Sequence, residues 1–254
     1  MSRNQLVPQF ALQRRPLVRA TAPRAEVLDI SGNAEPSSCA VCVPDTSFSM
    51  EFSSEKPESP ASRPIDRLNE GLQTLREEIN ADEIMAEYCE LAIVQCGEQV
   101  KLVREFTPVG RFDPPVFRAS GCTPLAESLL FAADLIEEWQ ATKTRADVDF
   151  CKPFVLAITD GRPTDKYDVI QAASKRVREL ESQGRVAFFV AYTGSTACPQ
   201  RLRELVVREP RPLSDFNYTA VFRWFAATMG EMTRSVPGES YVIPNPVDYG
   251  WDNM

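Results

Sequence analysis

The chain has 254 residues, 43% of them hydrophobic and 25% charged, with 28 Lys and Arg against 36 Asp and Glu for a formal net charge of −8. That length suffices for one full-sized domain with its own core. The acidic balance argues against broad nucleic-acid binding, and no apolar run approaches the roughly 20 residues needed to span a bilayer, so neither nucleic acid nor a membrane is expected as a partner.

Residues 1–37 carry Arg3, Arg14, Arg15, Arg19 and Arg24, with Pro8, Pro16 and Pro23 interspersed. The prolines spoil the amphipathic helix of a transit peptide, and there is no continuous apolar stretch of the secretory kind. The segment reads as a flexible basic arm with a short edge strand near 25–30, on a cytoplasmic protein. Cys39-Ala-Val-Cys-Val43 is a short continuous apolar run, as expected of a strand buried on both faces. Cys39 and Cys42 form a C-x-x-C, but a spacing of three puts them on opposite faces of a strand. With no second C-x-x-C and an odd total of seven cysteines, they read as small buried hydrophobes rather than a redox pair or half a zinc site.

Residues 51–63 are polar and proline-bearing and read as an exposed loop. Pro64 suits the first turn of a helix, on which Ile65, Leu68, Leu72, Leu75 and Ile79 share one face. Two strands, 87–96 and 100–106, flank a Gly97-Glu98-Gln99 hairpin turn, and 107–120 forms a Pro-rich loop. Pro124 opens a helix to about Lys143. A buried strand at 153–159, a charged helix at 168–182, a buried strand at 185–192, a short helix at 200–207 and an aromatic-rich helix at 216–234 follow. The basic run Lys175-Arg176-Val177-Arg178 reads as a solvated helix face, and 237–254 as an irregular tail. Strands alternating with helices, joined by crossovers long enough for parallel pairing, predict an α/β doubly wound sheet. It would be mostly parallel with one antiparallel edge strand and helices on both faces, in one domain over 38–236.

The sequence has no histidine, which excludes Ser-His-Asp and Cys-His nucleophilic machinery, His-ligated zinc and any imidazole base. A metal would have to be held by oxygen or thiolate. In doubly wound folds ligands bind beyond the carboxyl ends of the strands, and there the sequence places three oxygen-bearing turns. Asp45-x-Ser47-x-Ser49 brings three oxygens to one side of an extended turn, though alone it reads as an ordinary polar turn. Thr123, just before Pro124, reads either as a helix N-cap or as a hydroxyl ligand. Asp160-Gly161 ends a buried strand and alone reads as a strand-to-loop turn. Together they offer two carboxylates and three hydroxyls, a donor set suited to Mg²⁺ or Mn²⁺.

The segments DTSFS (45–49), GCTPL (121–125) and LAITDG (156–161) resemble the metal-ion-dependent adhesion site of von Willebrand factor A (vWA) domains. IDRLNEGLQTLREEI, ASGCTPLAESL, FVLAITDGRPTD and the C-terminal FNYTAVFRWFAATMGEMTRS are similar to the bacterial TerY-type subgroup, associated with tellurium resistance and stress response. The likeness covers about residues 38–236. It implies that Asp45, Ser47, Ser49, Thr123 and Asp160 form the metal site, with Asp160 acting through water. It implies a non-enzymatic, metal-dependent protein-binding module whose partner, a kinase or PP2C-like phosphatase among the candidates, presents Asp or Glu to the ion. Two positions depart from the family: Phe48 where Gly is usual, and Cys122 where a small residue is common. A phenylalanine is costly if that position takes a positive φ; otherwise Phe48 projects from the rim as an apolar partner contact. Three alternatives remain. One is an enzyme or enzyme subunit using Asp165 or Glu127 as a base. Another is a subunit of an AAA+ ATPase complex, and the third is a scaffold with a decayed site. The chain has no G-x-x-x-x-G-K-[ST], so by that motif it is not the ATPase.

Overall fold

The apolar runs become strands buried on both faces, as their lack of alternation requires. The computed structural model describes residues 36–52, 63–194 and 197–251. Along them run β1 (Ser38–Pro44), α1 (Pro64–Asn80), α2 (Glu83–Tyr88), β2 (Cys89–Gln95), β3 (Lys101–Pro108), α3 (Leu125–Arg145) and β4 (Phe154–Thr159). Then come α4 (Tyr167–Ser182), β5 (Ala187–Tyr192), α5 (Pro199–Leu205), β6 (Arg211–Pro212) and α6 (Tyr218–Thr233). The strands form one six-stranded sheet in the order β3-β2-β1-β4-β5-β6. Every neighbouring pair is parallel except β2 and β3, so the hairpin supplies an antiparallel edge.

Alternation along β1 builds two cores. Ala40 and Cys42 face α1 and α6, with Leu68, Leu72, Leu75 and Phe222. Val41 and Val43 face α3, α4 and α5, with Leu129, Val177 and Leu202. Each fully buried side chain of this size contributes about 1.5–3 kcal/mol, so the buried stripe of α1, from Ile65 to Ile79, holds that helix far more firmly than propensity does. All seven cysteines are unpaired, and burial raises the Cys39 and Cys42 thiols, consistent with packing roles. Among the described residues no helix is long and apolar enough to cross a membrane.

Four local features differ from the sequence reading. Residues 83–88 are helical, and the strand expected from 87 begins at Cys89. Asp82 starts that helix, accepting the Met85 N–H at 3.1 Å as its N-cap. The two-residue strand β6 pairs with Ala191 and Tyr192; a run that short, half of it proline, carries no period. The last helix starts at Tyr218, because Asp215 and Phe216 both take positive φ and Asn217 caps it. In the tail, Trp251 is 1% exposed. It packs edge-on against Trp224 at 5.2 Å and donates its Nε1–H to the Pro212 carbonyl at 2.7 Å. It thereby extends the aromatic series Phe225, Phe154, Phe189 and Trp224. Apart from Pro36 and Ser37, the arm read over 1–37 with its edge strand at 25–30 lies outside the described residues, as do 53–62 of the polar loop.

Candidate metal centre

The chain leaves β1 toward β2 and leaves β4 toward β5, on opposite sides of the β1–β4 pair. The loops that follow β1 and β4 therefore diverge, opening the kind of crevice where ligands bind in open α/β sheets. Asp45 and Asp160 sit at its two lips, each one residue beyond its strand.

The Asp45 carboxylate is wholly buried. Its Oδ1 accepts the Ser47 N–H at 2.8 Å, and its Oδ2 accepts the Thr159 hydroxyl at 2.5 Å. Thr159 in turn accepts the Gly161 N–H at 3.2 Å, so one hydroxyl orients the carboxylate of one loop and the backbone of the other. Ser49 Oγ donates to Asp160 Oδ1 at 2.7 Å and lies 2.9 Å from Ser47 Oγ. Because the Ser49 proton is committed to Asp160, Ser47 donates to Ser49, giving a relay Ser47→Ser49→Asp160 across the crevice. Thr123 closes the set. A Cβ placed on Gly161 would lie 3.3 Å from Thr123 Oγ1 and 3.6 Å from Ser49 Oγ. Both hydroxyls thus lie beside the Gly161 backbone, where a Cβ would press on Thr123 Oγ1 by a few tenths of an ångström. All five sequence-predicted residues gather at this one rim.

Electrostatics favours a cation here. Burial raises the Asp45 carboxyl above its ordinary range, against the opposing hydrogen bonds from Thr159 and Ser47. Burial and then the charge of Asp45 push Asp160 up to about 7. Two desolvated carboxylates repel each other, and a divalent ion between them would hold both ionised. Among the described residues no group of three or more Cys, Asp and Glu gathers to hold a metal, so an ion at this rim would depend on the hydroxyls. Each can turn its proton outward and present a lone pair. An all-oxygen set of two carboxylates and three hydroxyls fits a hard divalent cation.

Phe48 is not among the non-glycine residues with positive φ, which are Asp147, Asp215 and Phe216, so the feared strain does not arise. Its N–H donates to the Gly121 carbonyl at 3.1 Å. Its ring is 60% exposed and meets Phe52, also exposed, edge-on at 5.5 Å. Cys122 is likewise exposed at the rim. Thr123 is not the N-cap of α3. Asp165, considered above as a base, fills that role: its Oδ2 and Oδ1 accept the N–H groups of Ala126 at 3.0 Å and Glu127 at 2.9 Å. The sequence reading missed this and the orienting role of Thr159. A carboxylate in the turn after β4 was visible, but its distant helix was not.

No family model and no curated protein matches the sequence. Among solved structures, the chain is similar to the pilus adhesin SpaC from Lactobacillus rhamnosus GG, with a TM-score of 0.59 and 12% identity over 78% of this chain and 31% of that one. It is also similar to proximal thread matrix protein 1 from the mussel byssus with a zinc-occupied MIDAS motif, with a TM-score of 0.54 and 12% identity over 77% of this chain and 48% of that one. The chain thus spans about half or less of the proteins it resembles. These likenesses show the fold alone, a mostly parallel α/β sheet of the vWA/Rossmann-like kind.

Proposed function

We propose that the chain is a metal-ion-dependent protein-binding module in which Asp45, Ser47, Ser49, Thr123 and Asp160 hold Mg²⁺ or Mn²⁺ and a partner contributes an Asp or Glu to the site. The observation that carries this reading is the convergence of two raised, buried carboxylates and three hydroxyls from three loops on one crevice. A likeness in fold to a protein whose MIDAS motif holds zinc supports it. When bound, the ion would supply the Lewis-acidic point that a partner carboxylate completes. The exposed Phe48–Phe52 pair would flank that carboxylate with an apolar contact. The module is read as non-catalytic, as the vWA resemblance implies; of the two candidate bases, Asp165 has both oxygens engaged by amides. A bacterial stress-response or signalling complex, with a kinase or PP2C-like phosphatase as partner, is the finer reading, and it rests on the TerY-type sequence segments.

Calorimetric titration of the purified protein with MgCl₂ and MnCl₂, beside Asp45→Ala, tests the site. Saturable binding lost in the variant is the expected result. Binding that survives in Asp45→Ala, or no binding of either ion by the wild type, would overturn the assignment.

A further inference from the structure

The loop after β4 is fastened to the loop before α3 and to the first turn of α3 by four hydrogen bonds that touch none of the five candidate ligand side chains. The Thr123 N–H donates to Thr164 Oγ1 at 3.1 Å, and the Thr164 N–H returns to the Thr123 carbonyl at 2.9 Å. Asp165 takes the Ala126 and Glu127 amides with its two oxygens, and its negative charge suits the positive end of the 21-residue helix α3. On its other side the Thr123 loop is tied to the loop after β1, where Ser120 N–H reaches the Thr46 carbonyl at 2.8 Å and Gly121 accepts from Phe48. Thr123 therefore stands between two anchored points. The relay Ser47→Ser49→Asp160 and the Thr159–Asp45 bond need neither Thr164 nor Asp165.

We propose that Thr164 and Asp165 are positioning residues that lock the Thr123 hydroxyl at a fixed distance from Asp160 and thereby set the site's preference for a small cation over Ca²⁺. The inference rests on the metal-site reading above and deepens it. Mg²⁺ demands near-octahedral ligands at about 2.0–2.1 Å, whereas Ca²⁺ accepts irregular sets at about 2.3–2.6 Å. With the latch intact, the Thr123 loop cannot move outward without breaking the hydrogen bonds to Thr164 and Asp165. With bonds of the latch removed, Thr123 is held less tightly on this side, while Ser120 and Gly121 still tie its loop to the loop after β1. The small ion then loses a ligand held at short range, and the larger ion keeps one that follows it outward. Orienting partners of this kind typically change metal affinity about 10- to 100-fold when removed.

The test titrates the wild type, Thr164→Val, Thr164→Ser and Asp165→Asn separately with MgCl₂ and CaCl₂, with circular dichroism of each metal-free protein. Val keeps the shape of Thr164 and removes its hydroxyl acceptor, leaving the backbone bond from the Thr164 N–H to the Thr123 carbonyl in place. Ser restores the acceptor, and Asn keeps one acceptor oxygen while removing the charge. Thr164→Val is expected to weaken Mg²⁺ about tenfold while shifting Ca²⁺ by under about threefold, so that the selectivity ratio falls. Thr164→Ser is expected to recover the wild-type ratio, and Asp165→Asn to lie between. A general loss of structure would lower both affinities together, so an equal fall for Mg²⁺ and Ca²⁺, or no change in either, overturns the latch while leaving the metal site standing. Should Thr164→Val fail to fold, the ratio measured for Asp165→Asn decides the matter alone. A wild type that binds neither ion overturns the metal-site reading and the latch with it.

Discussion

Removing the charge of Asp160 separates its cost to the fold from its use to a metal. Its carboxyl is 3% exposed, and burial beside Asp45 moves it from 3.8 to about 7. The folded protein holds this proton more tightly than the unfolded chain does. The group's contribution to stability is therefore complete below about pH 4 and is lost as pH rises through 7. At about 1.4 kcal/mol per unit, the displacement corresponds to about 4 kcal/mol at most, and local relaxation reduces this to about 2 kcal/mol. Asp160→Asn keeps an oxygen to accept the Ser49 hydroxyl and abolishes the charge. In EDTA at pH 8 the variant is expected to melt about 4–8 °C above the wild type, at about 2–4 °C per kcal/mol for a domain of this size, and at pH 4 the difference should shrink toward zero. Saturating MgCl₂ should reverse the order at pH 8, since an ion at 100 times its Kd stabilises the wild type by about 2.7 kcal/mol and has little hold on the variant. Thermal melts at the two pH values, with and without the ion, decide it. A variant less stable than the wild type at pH 8 in EDTA, or a pH-independent difference, would refute the argument that Asp160 is ionised at a cost.

Three further outcomes follow from the packing around the crevice. Gly121 has φ +75°, and a Cβ there would lie 2.2 Å from the Glu98 Cα. Gly121→Ala should cost at least about 2 kcal/mol in chemical denaturation, and an unchanged midpoint would contradict the tight seat of this loop on the β2–β3 hairpin. Phe48→Ala should leave folding stability within about 0.5 kcal/mol and Mg²⁺ affinity unaltered while weakening partner binding; a changed Mg²⁺ isotherm would show that the ring shapes the site itself. Trp251→Ala should destabilise by about 3–5 kcal/mol with the metal isotherm unaffected, because its ring packs on Trp224 and its indole bonds to Pro212, neither of them a candidate ligand. A variant as stable as the wild type would mean that the tail is not held.

What could be read from sequence divides along the range of the interactions. Buried strands and amphipathic helices are written in local period. For that reason β1, β4, β5, α1 and α4 emerge within a residue or two of their bounds, and the antiparallel hairpin follows from its glycine turn. The failures are non-local or too short to have a period. Nothing in Arg211–Pro212 marks a strand until β5 lies beside it, and Trp251 reads as tail until Trp224 and Pro212 receive it. The helix at 83–88 is the one local miss with a legible sign, an Asp at position 82 poised to cap. At the site, the ligand-type residues were legible because each ends a strand or precedes a helix. Their supports, Thr159, Thr164 and Asp165, were not, because each bonds across to a loop far away in sequence.

The composition of the crevice bears on why binding there would be conditional. Of the five candidate ligands only Asp45 and Asp160 carry charge, and burial already raises both carboxyls; a third acid beside them would add repulsion. Hydroxyls add donors without charge, so a divalent ion held here would be neutralised by the protein's own two carboxylates and would retain coordination space. On the proposed reading, a partner carboxylate would find no ligand bond at these two acids without the ion, and would gain one with it. On the proposed reading, association should therefore depend steeply on the ion and weakly on ionic strength. A surface-charge interface of a protein with net charge −8 would instead weaken in proportion to salt. Partner affinity measured across 50–500 mM NaCl, with and without EDTA, distinguishes the two: a strong salt dependence that EDTA does not alter would place the interaction elsewhere on the surface.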